Sequence, residues 1–207
     1  MRIGIIADGQ AEYRSLPKLV ERIESQNQVV KTLYADIQPL APISQIVAAI
    51  KSKLPILKNK SVDMALILID RENRNVCPGD WAQEIEQALE RTCGQAGITT
   101  FAVVVKDSCY ENWLVSDIQV FDKMPKRFSI SSSNIKRIEP NKADRADAQS
   151  ILEKSAKGED YDKVQDSVRI MNLADPIRIA SNSRSFRRFL RLIGHASYKD
   201  QSCQPCQ

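Results

Sequence analysis

Histidine is almost missing from the chain. His195 is the only one among 207 residues, which argues against histidine-based acid–base catalysis and against a metal site built on imidazoles. Glycine is also sparse, at seven residues. None of them forms a glycine-rich loop of Walker or Rossmann type, so any ATP in the reaction must be brought by another protein. Long apolar runs are lacking as well. A stretch such as "FAVVV" from Phe101 falls far short of the roughly 20 residues that a membrane-spanning helix needs. The opening "MRIGIIADG" is interrupted by Asp8 and has no small-residue cleavage site. It reads as a first strand rather than a signal peptide, with a cytoplasmic protein as the expectation. The five cysteines (Cys77, Cys93, Cys109, Cys203 and Cys206) are odd in number and irregular in spacing, so no disulfide framework is expected. Cys203 and Cys206 have the spacing of half a zinc site, but nothing nearby supplies the other two ligands, and residues 196–207 read as a flexible tail. There is no internal repeat and no low-complexity tract.

What is present is a globular composition, 43% hydrophobic and 27% charged with a net charge of +4. That mildly basic balance permits nucleic-acid binding without demanding it. Strand and helix patterns alternate through residues 1–122. Short apolar strands are predicted over Ile3 to Ala7, Val29 to Ala35, Met64 to Ile69 and Thr99 to Val105. A helix is predicted from Ala11 to Ser25, with Leu16, Leu19, Val20 and Ile23 on one face. A second starts at Ser44, carries Ile46, Val47 and Ile50, and is ended with the help of Pro55. A third opens at Gly79 and Asp80, carries Trp81, Ile85, Ala88 and Leu89, and is closed by Gly94 and Gly97. These patterns predict an α/β domain with a parallel sheet of about four strands sandwiched by helices. Residues 123–195 read as a helical C-terminal extension packed on it. Its polar stretch from Lys123 to Asp147 reads as a loop, followed by helices over Ala143 to Ala156, Tyr161 to Met171 and Arg184 to Ile193.

The chemistry-bearing residues fall where strands turn into helices. Asp8 and Glu12 follow the first strand, Asp70 and Glu72 follow the third, and Glu111 follows the fourth. In an open parallel sheet these strand ends share one edge, where ligands bind. Asp70 and Glu72 are two apart, so in extended chain they share a face. Carboxylates gathered there without matching lysines repel one another. The usual remedy is a divalent cation, and oxygen-only ligands point to Mg2+ or Mn2+. Each residue also has a plainer reading. Glu12 sits favourably at a helix N-terminus, Ser108-Cys-Tyr-Glu111 fits a capping box, and Asp70 and Glu72 fit a solvated turn.

The segments "IGIIADGQAEYRSLPKLV", "ALILIDREN" and "CYENWLVSD", and later "NKADRADAQSILEK" and "SRSFRRFLRLIG", resemble a family of uncharacterised prokaryotic Toprim-like proteins. The resemblance runs from Arg2 to about Gly194. It implies the Toprim fold, the metal-binding catalytic module of topoisomerases, primases and OLD-type nucleases. Those proteins carry a glutamate after strand one and Asp-x-Asp after strand three. Carried over, the first glutamate is Glu12, the aspartate pair is Asp70 and Glu72, and Glu111 matches the "ENW" motif of this family. Two departures stand out: Asp-x-Glu replaces Asp-x-Asp, and Asp8-Gly9 replaces Glu-Gly.

The implied activity is metal-assisted hydrolysis of nucleic-acid phosphodiesters, DNA or RNA, by analogy in phage or plasmid defence. Glu12, Asp70, Glu72 and Glu111, with Asp8 beside them, are the expected ligands of Mg2+ or Mn2+, and Lys142 is the expected catalytic basic residue, reaching a phosphate oxygen. No tyrosine lies in a topoisomerase context, so strand passage is not expected. Arg184, Arg187, Arg188 and Arg191 line one side of the last helix, opposite Phe186, Phe189, Leu190 and Ile193. They read either as a solvated face or as a phosphate-backbone track. The rival expectation is a non-catalytic accessory protein that keeps the fold and works with a separately encoded ATPase.

Overall fold

A computed structural model describes residues 1–94, 98 and 100–200. Four strands, β1 (Arg2–Ala7), β2 (Gln28–Tyr34), β3 (Met64–Asp70) and β4 (Thr100–Lys106), form one parallel sheet in the order β2-β1-β3-β4. Helix α1 (Gln10–Val20) links β1 to β2. Helices α2 (Ile43–Lys51) and α3 (Leu54–Lys58) lead to β3, and α4 (Pro78–Cys93) leads to β4. The first connection steps one way along the sheet and the other two step back. Right-handed crossovers therefore put α1 on one face and α2, α3 and α4 on the other. The core divides accordingly. Ile6, Ala65, Ile67, Val103 and Val105 pack with α2–α4, while Ile3, Ile5, Leu66, Leu68, Ala102 and Val104 pack with α1.

One helix does not cover four strands, and the rest of that face is filled by the C-terminal region. This comprises α5 (Glu111–Ser116), α6 (Gln119–Asp122), α7 (Ser132–Ile138), α8 (Ala148–Ser155), α9 (Lys163–Leu173), α10 (Pro176–Asn182) and α11 (Arg184–Leu192), with single 3-10 turns at Ala143–Arg145 and Ala196–Tyr198. Helix α9 lies along α1 and α11 lies on β4. Phe128, Ile151, Ile170, Phe186 and Phe189 belong to the same apolar cluster as the sheet residues. Trp113 is the joint: it is wholly buried, its ring centroid is 4.9 Å from that of Phe186 and 5.5 Å from that of Phe189, and its indole Nε1 donates to Ser185 Oγ at 2.7 Å. The buried carboxylate of Asp117 accepts from Arg178 Nε at 2.7 Å and from the Asp175 N–H at 2.8 Å, tying α10 to α5.

The structure corrects several boundaries. Pro55 does not end a helix; it sits in the first turn of α3, where its missing N–H is no loss. The stretch read as a loop contains α7, capped by Ser131 accepting from the Asn134 N–H. The helix expected over Ala143 to Ala156 is broken at Asp147, which caps α8 through the Ser150 N–H. Helix α10 was not expected at all, although Asp175-Pro176 is a strong start signal, with Asp as cap and Pro at the first helical position. Gly97 and Thr99 as element ends, and the Cys203–Cys206 pair of the tail, lie outside the described residues. Among the described residues no helix is long and apolar enough to cross a membrane.

Replacing Trp113 by Ala removes the joint between sheet and C-terminal helices. We expect a loss of about 3–5 kcal/mol in urea unfolding. A loss below about 1 kcal/mol would show that the two regions do not share a core.

Candidate functional site

The strand order reverses between β1 and β3, and the crevice outside a parallel sheet opens at such a point. Asp8 follows β1 directly, and Asp70 is the last residue of β3. Strand register places Asp70 opposite Lys106, the last residue of β4. The Asp8 N–H donates to Leu68 O at 3.2 Å, and Asp8 Oδ2 accepts the Asp70 N–H at 2.6 Å. The two strand ends thus lock each other. Glu12 enters from the first turn of α1. Gly9, just before that helix, has no side chain because a Cβ there would collide with Glu12 Oε2.

Lys106 stands at the centre and is wholly buried. It alternates with Ala102 and Val104 on the α1 face of β4. Its Nζ donates to Asp8 Oδ1 at 2.7 Å and to Glu12 Oε1, and lies 3.0 Å from Asp70 Oδ1. Below it lies the Tyr110 ring, 5.5 Å from Nζ, whose hydroxyl is 2.8 Å from Ser15 Oγ. Burial disfavours the charged ammonium, but Asp70, Asp8 and Glu12 outweigh this and hold Lys106 well above the usual lysine range. Burial pushes the Asp70 carboxyl well above its usual range, against the pull of Lys106 and with the push of Asp8 and Glu12. Burial likewise raises Glu12, opposed by Lys106 and assisted by Asp8. Glu12 Oε2 is buried without a hydrogen-bond partner, and Asp70 Oδ1 meets Lys106 only as an ion pair.

Asp8, Glu12 and Asp70 each offer an oxygen within 4.8 Å of the others, a spacing that suits a metal ion. They line a cavity of about 150 Å3 together with Glu72, Arg74 and Lys163, under the Gln38–Leu40 segment. A second cavity of about 240 Å3 adjoins it and shares Glu72 and Lys163, with Ser108, Asn112 and Asp147 on its far side.

Sequence reasoning and structure diverge here in instructive ways. Asp8, Glu12 and Asp70 come together. Glu72 reaches the cavity wall but not the triad, because the chain is not extended beyond β3: Glu72 takes a left-handed backbone (φ 55°), and its N–H donates to Ser108 O at 2.8 Å, itself at φ 76°. Glu111 does not form a capping box, since Tyr110 precedes α5 with helical backbone and no side-chain cap. Its carboxylate is buried instead, with neither oxygen hydrogen-bonded and Lys163 Nζ 3.1 Å away as an ion pair. Lys142 is exposed, donates to Lys136 O at 3.3 Å and is not on the cavity wall. On α11, Arg187 is held by Ala180 O at 2.6 Å and Asn141 Oδ1 at 3.0 Å, Arg188 lies 3.5 Å from Glu86, Arg191 is half-buried and Arg184 is exposed. The expectation of carboxylates without matching lysines is overturned by Lys106, and Lys163 is a second cation that sequence reasoning missed. Lys106 closes an otherwise apolar strand, where a lysine reads as a solvated strand end until the pairing of β3 with β4 is known. Lys163 carried no signal.

Because the folded state holds the Asp70 and Glu12 carboxyls above their ordinary values, it binds their protons more tightly than the unfolded chain does. Their contribution to stability is complete below a pH of about 4 and is lost as pH rises through the raised folded values. Asp70→Asn removes one such group. In EDTA, we expect the melting temperature of the variant relative to the native protein to rise from pH 5 to pH 8, by about 2–4 °C per kcal/mol. A difference that falls with pH would contradict this electrostatic picture.

Residues 7–193, from the end of β1 to just past α11, match the family described as "Domain of unknown function (DUF4276)". No curated protein and no solved structure matches the chain. With the whole acidic corner and nearly all of the fold inside that match, the chain belongs to the DUF4276 family of uncharacterised domains.

Proposed function

We propose that Asp8, Glu12 and Asp70 hold a divalent cation, Mg2+ or Mn2+, and that the protein is a metal-dependent phosphoryl-transfer enzyme, a Toprim-like nuclease that cleaves nucleic-acid phosphodiesters. The observation that carries this reading is a charge imbalance in a buried place. Three carboxylates face one ammonium, which leaves two negative charges once all three are ionised, and Glu12 Oε2 is buried with no donor. A divalent cation restores neutrality and gives that oxygen a partner. The arrival of these acids after the first and third strands of a parallel sheet supports the Toprim comparison.

A bound ion supplies Lewis acidity toward a phosphoryl oxygen and lowers the pKa of water. The chain supplies the rest. Lys163, on the cavity wall, offers positive charge to a phosphate, and burial is outweighed by Glu111, which keeps it charged. Arg74, 4.6 Å over the Trp81 ring, offers a second positive group at the rim. Nucleic acid as the substrate class is supported by a broad groove of about 970 Å3 that carries Lys123, Lys126, Lys157 and Arg169 with Glu159 as the one acid on its wall. The second reading, an accessory protein that works with a separately encoded ATPase, draws on Lys106, which already engages all three carboxylates.

The test is cleavage of supercoiled plasmid, single-stranded DNA and RNA with Mn2+, Mg2+ or EDTA. Cutting that needs the metal is expected. Glu12→Gln should lower it by more than about a hundredfold, beyond what outer-shell changes remove. Lys142→Ala should cut at the native rate. No cutting of any substrate by folded protein would overturn the nuclease reading and favour the accessory one.

A further inference from the structure

We infer that Lys106 takes the place of a second metal ion, so that the acidic corner holds one divalent cation and not two. The inference rests on the metal-site reading above. Sites with two ions place them about 3.5–4 Å apart and bridge them with shared carboxylates. Here the bridging position is filled by the chain itself. The Lys106 ammonium touches one oxygen from each carboxylate, at 2.7 Å for Asp8 Oδ1, 3.0 Å for Asp70 Oδ1, and in closer contact for Glu12 Oε1. Lys106 is wholly buried, is the last residue of β4 and packs over Tyr110, so it has no solvated position to retreat to. Glu12, which lines the cavity, keeps its other oxygen, Oε2, buried and without a partner.

Charge leads to the same count. With all three acids deprotonated, as metal ligands must be, they and Lys106 sum to two negative charges, which one divalent ion neutralises. A second ion would leave two uncompensated positive charges in the same buried volume, and that is strongly unfavourable. The remaining acids nearby do not make up the difference: Glu111 is paired with Lys163, and Glu72 is turned to the outer wall by its left-handed backbone. Lys106 is thus a positioning residue that fixes stoichiometry: a covalently attached monovalent cation in place of an exchangeable one.

The experiment is Mn2+ titration of the full chain, followed by calorimetry and by electron paramagnetic resonance. One equivalent with the six-line spectrum of an isolated Mn2+ ion is the expected result. Two equivalents with an exchange-coupled multiline spectrum would overturn the inference and leave the metal-site reading standing. No Mn2+ binding would overturn both. Lys106→Met, checked for folding by circular dichroism, should take up a second equivalent, whereas Lys106→Arg should stay at one. A folded Lys106→Met protein that still binds a single ion would count against the inference. Should Lys106→Met not fold, the native stoichiometry and spectrum decide the question alone.

Discussion

The meeting of Lys106 with Asp8, Glu12 and Asp70 is the interaction on which the rest of the structure depends. Each partner comes from a different element: the ends of β1, β3 and β4, and the first turn of α1. Without the lysine, three carboxylates would stand within a few ångströms of one another in a largely buried place. Removing one partner from such a buried set is destabilising by about 3–5 kcal/mol. The ammonium therefore sets how closely the three strand ends approach, and the bond from the Asp70 N–H to Asp8 Oδ2 fixes the relative height of β1 and β3. The apolar packing beneath builds the sheet, and the ion cluster fixes the geometry at its upper edge.

Buried charge is treated differently elsewhere in the chain. Asp166 accepts from Arg127, Arg169 and the Asp162 N–H, and Arg127 also donates to the carbonyls of Lys157, Glu159 and Asp160. That cluster is saturated: hydrogen bonds hold Asp166 below the ordinary carboxyl range despite its burial. At the sheet edge the opposite holds. Glu12 and Glu111 keep buried oxygens without donors, and Glu72 and Ser108 carry left-handed backbones joined by one hydrogen bond. Unsatisfied carboxylate oxygens and left-handed backbone at this sheet edge, set against a saturated cluster that avoids both, are what a place shaped for something other than stability shows.

Much of this was legible in the sequence. The four strands read directly from their apolar runs, because strands covered on both faces show near-continuous hydrophobicity. The convergence of Asp8, Glu12 and Asp70 followed from the rule that parallel strands end at one edge. What was not legible depended on register and on backbone turns. Asp70 faces Lys106 only because β3 and β4 pair in that register, and a lysine closing "FAVVVK" looks like a solvated strand end until that pairing is known. Glu72 was misjudged because periodicity assumes extended chain and carries no information about a left-handed residue. Lys163 comes from the far side of the fold through the packing of α9 on α1, which no local pattern encodes. Helix α10 is different: its Asp-Pro start was in plain view.

The uneven crossovers have one further consequence. Two of the three connections bury the same face of the sheet, and the opposite face receives α1 alone. Its Leu66, Leu68, Ala102 and Val104 wait for side chains such as Phe186, Phe189 and Ile170, which lie late in the chain. A nascent chain that has just completed β4 therefore presents a half-covered sheet, greasy over its β3–β4 side, and Lys163 has not yet arrived at the crevice. Solubility and completion of the crevice wall are thus coupled to the same late event, the docking of the last helices. A molecule with that side of the sheet still bare is an intermediate exposed to aggregation rather than a smaller version of the finished protein.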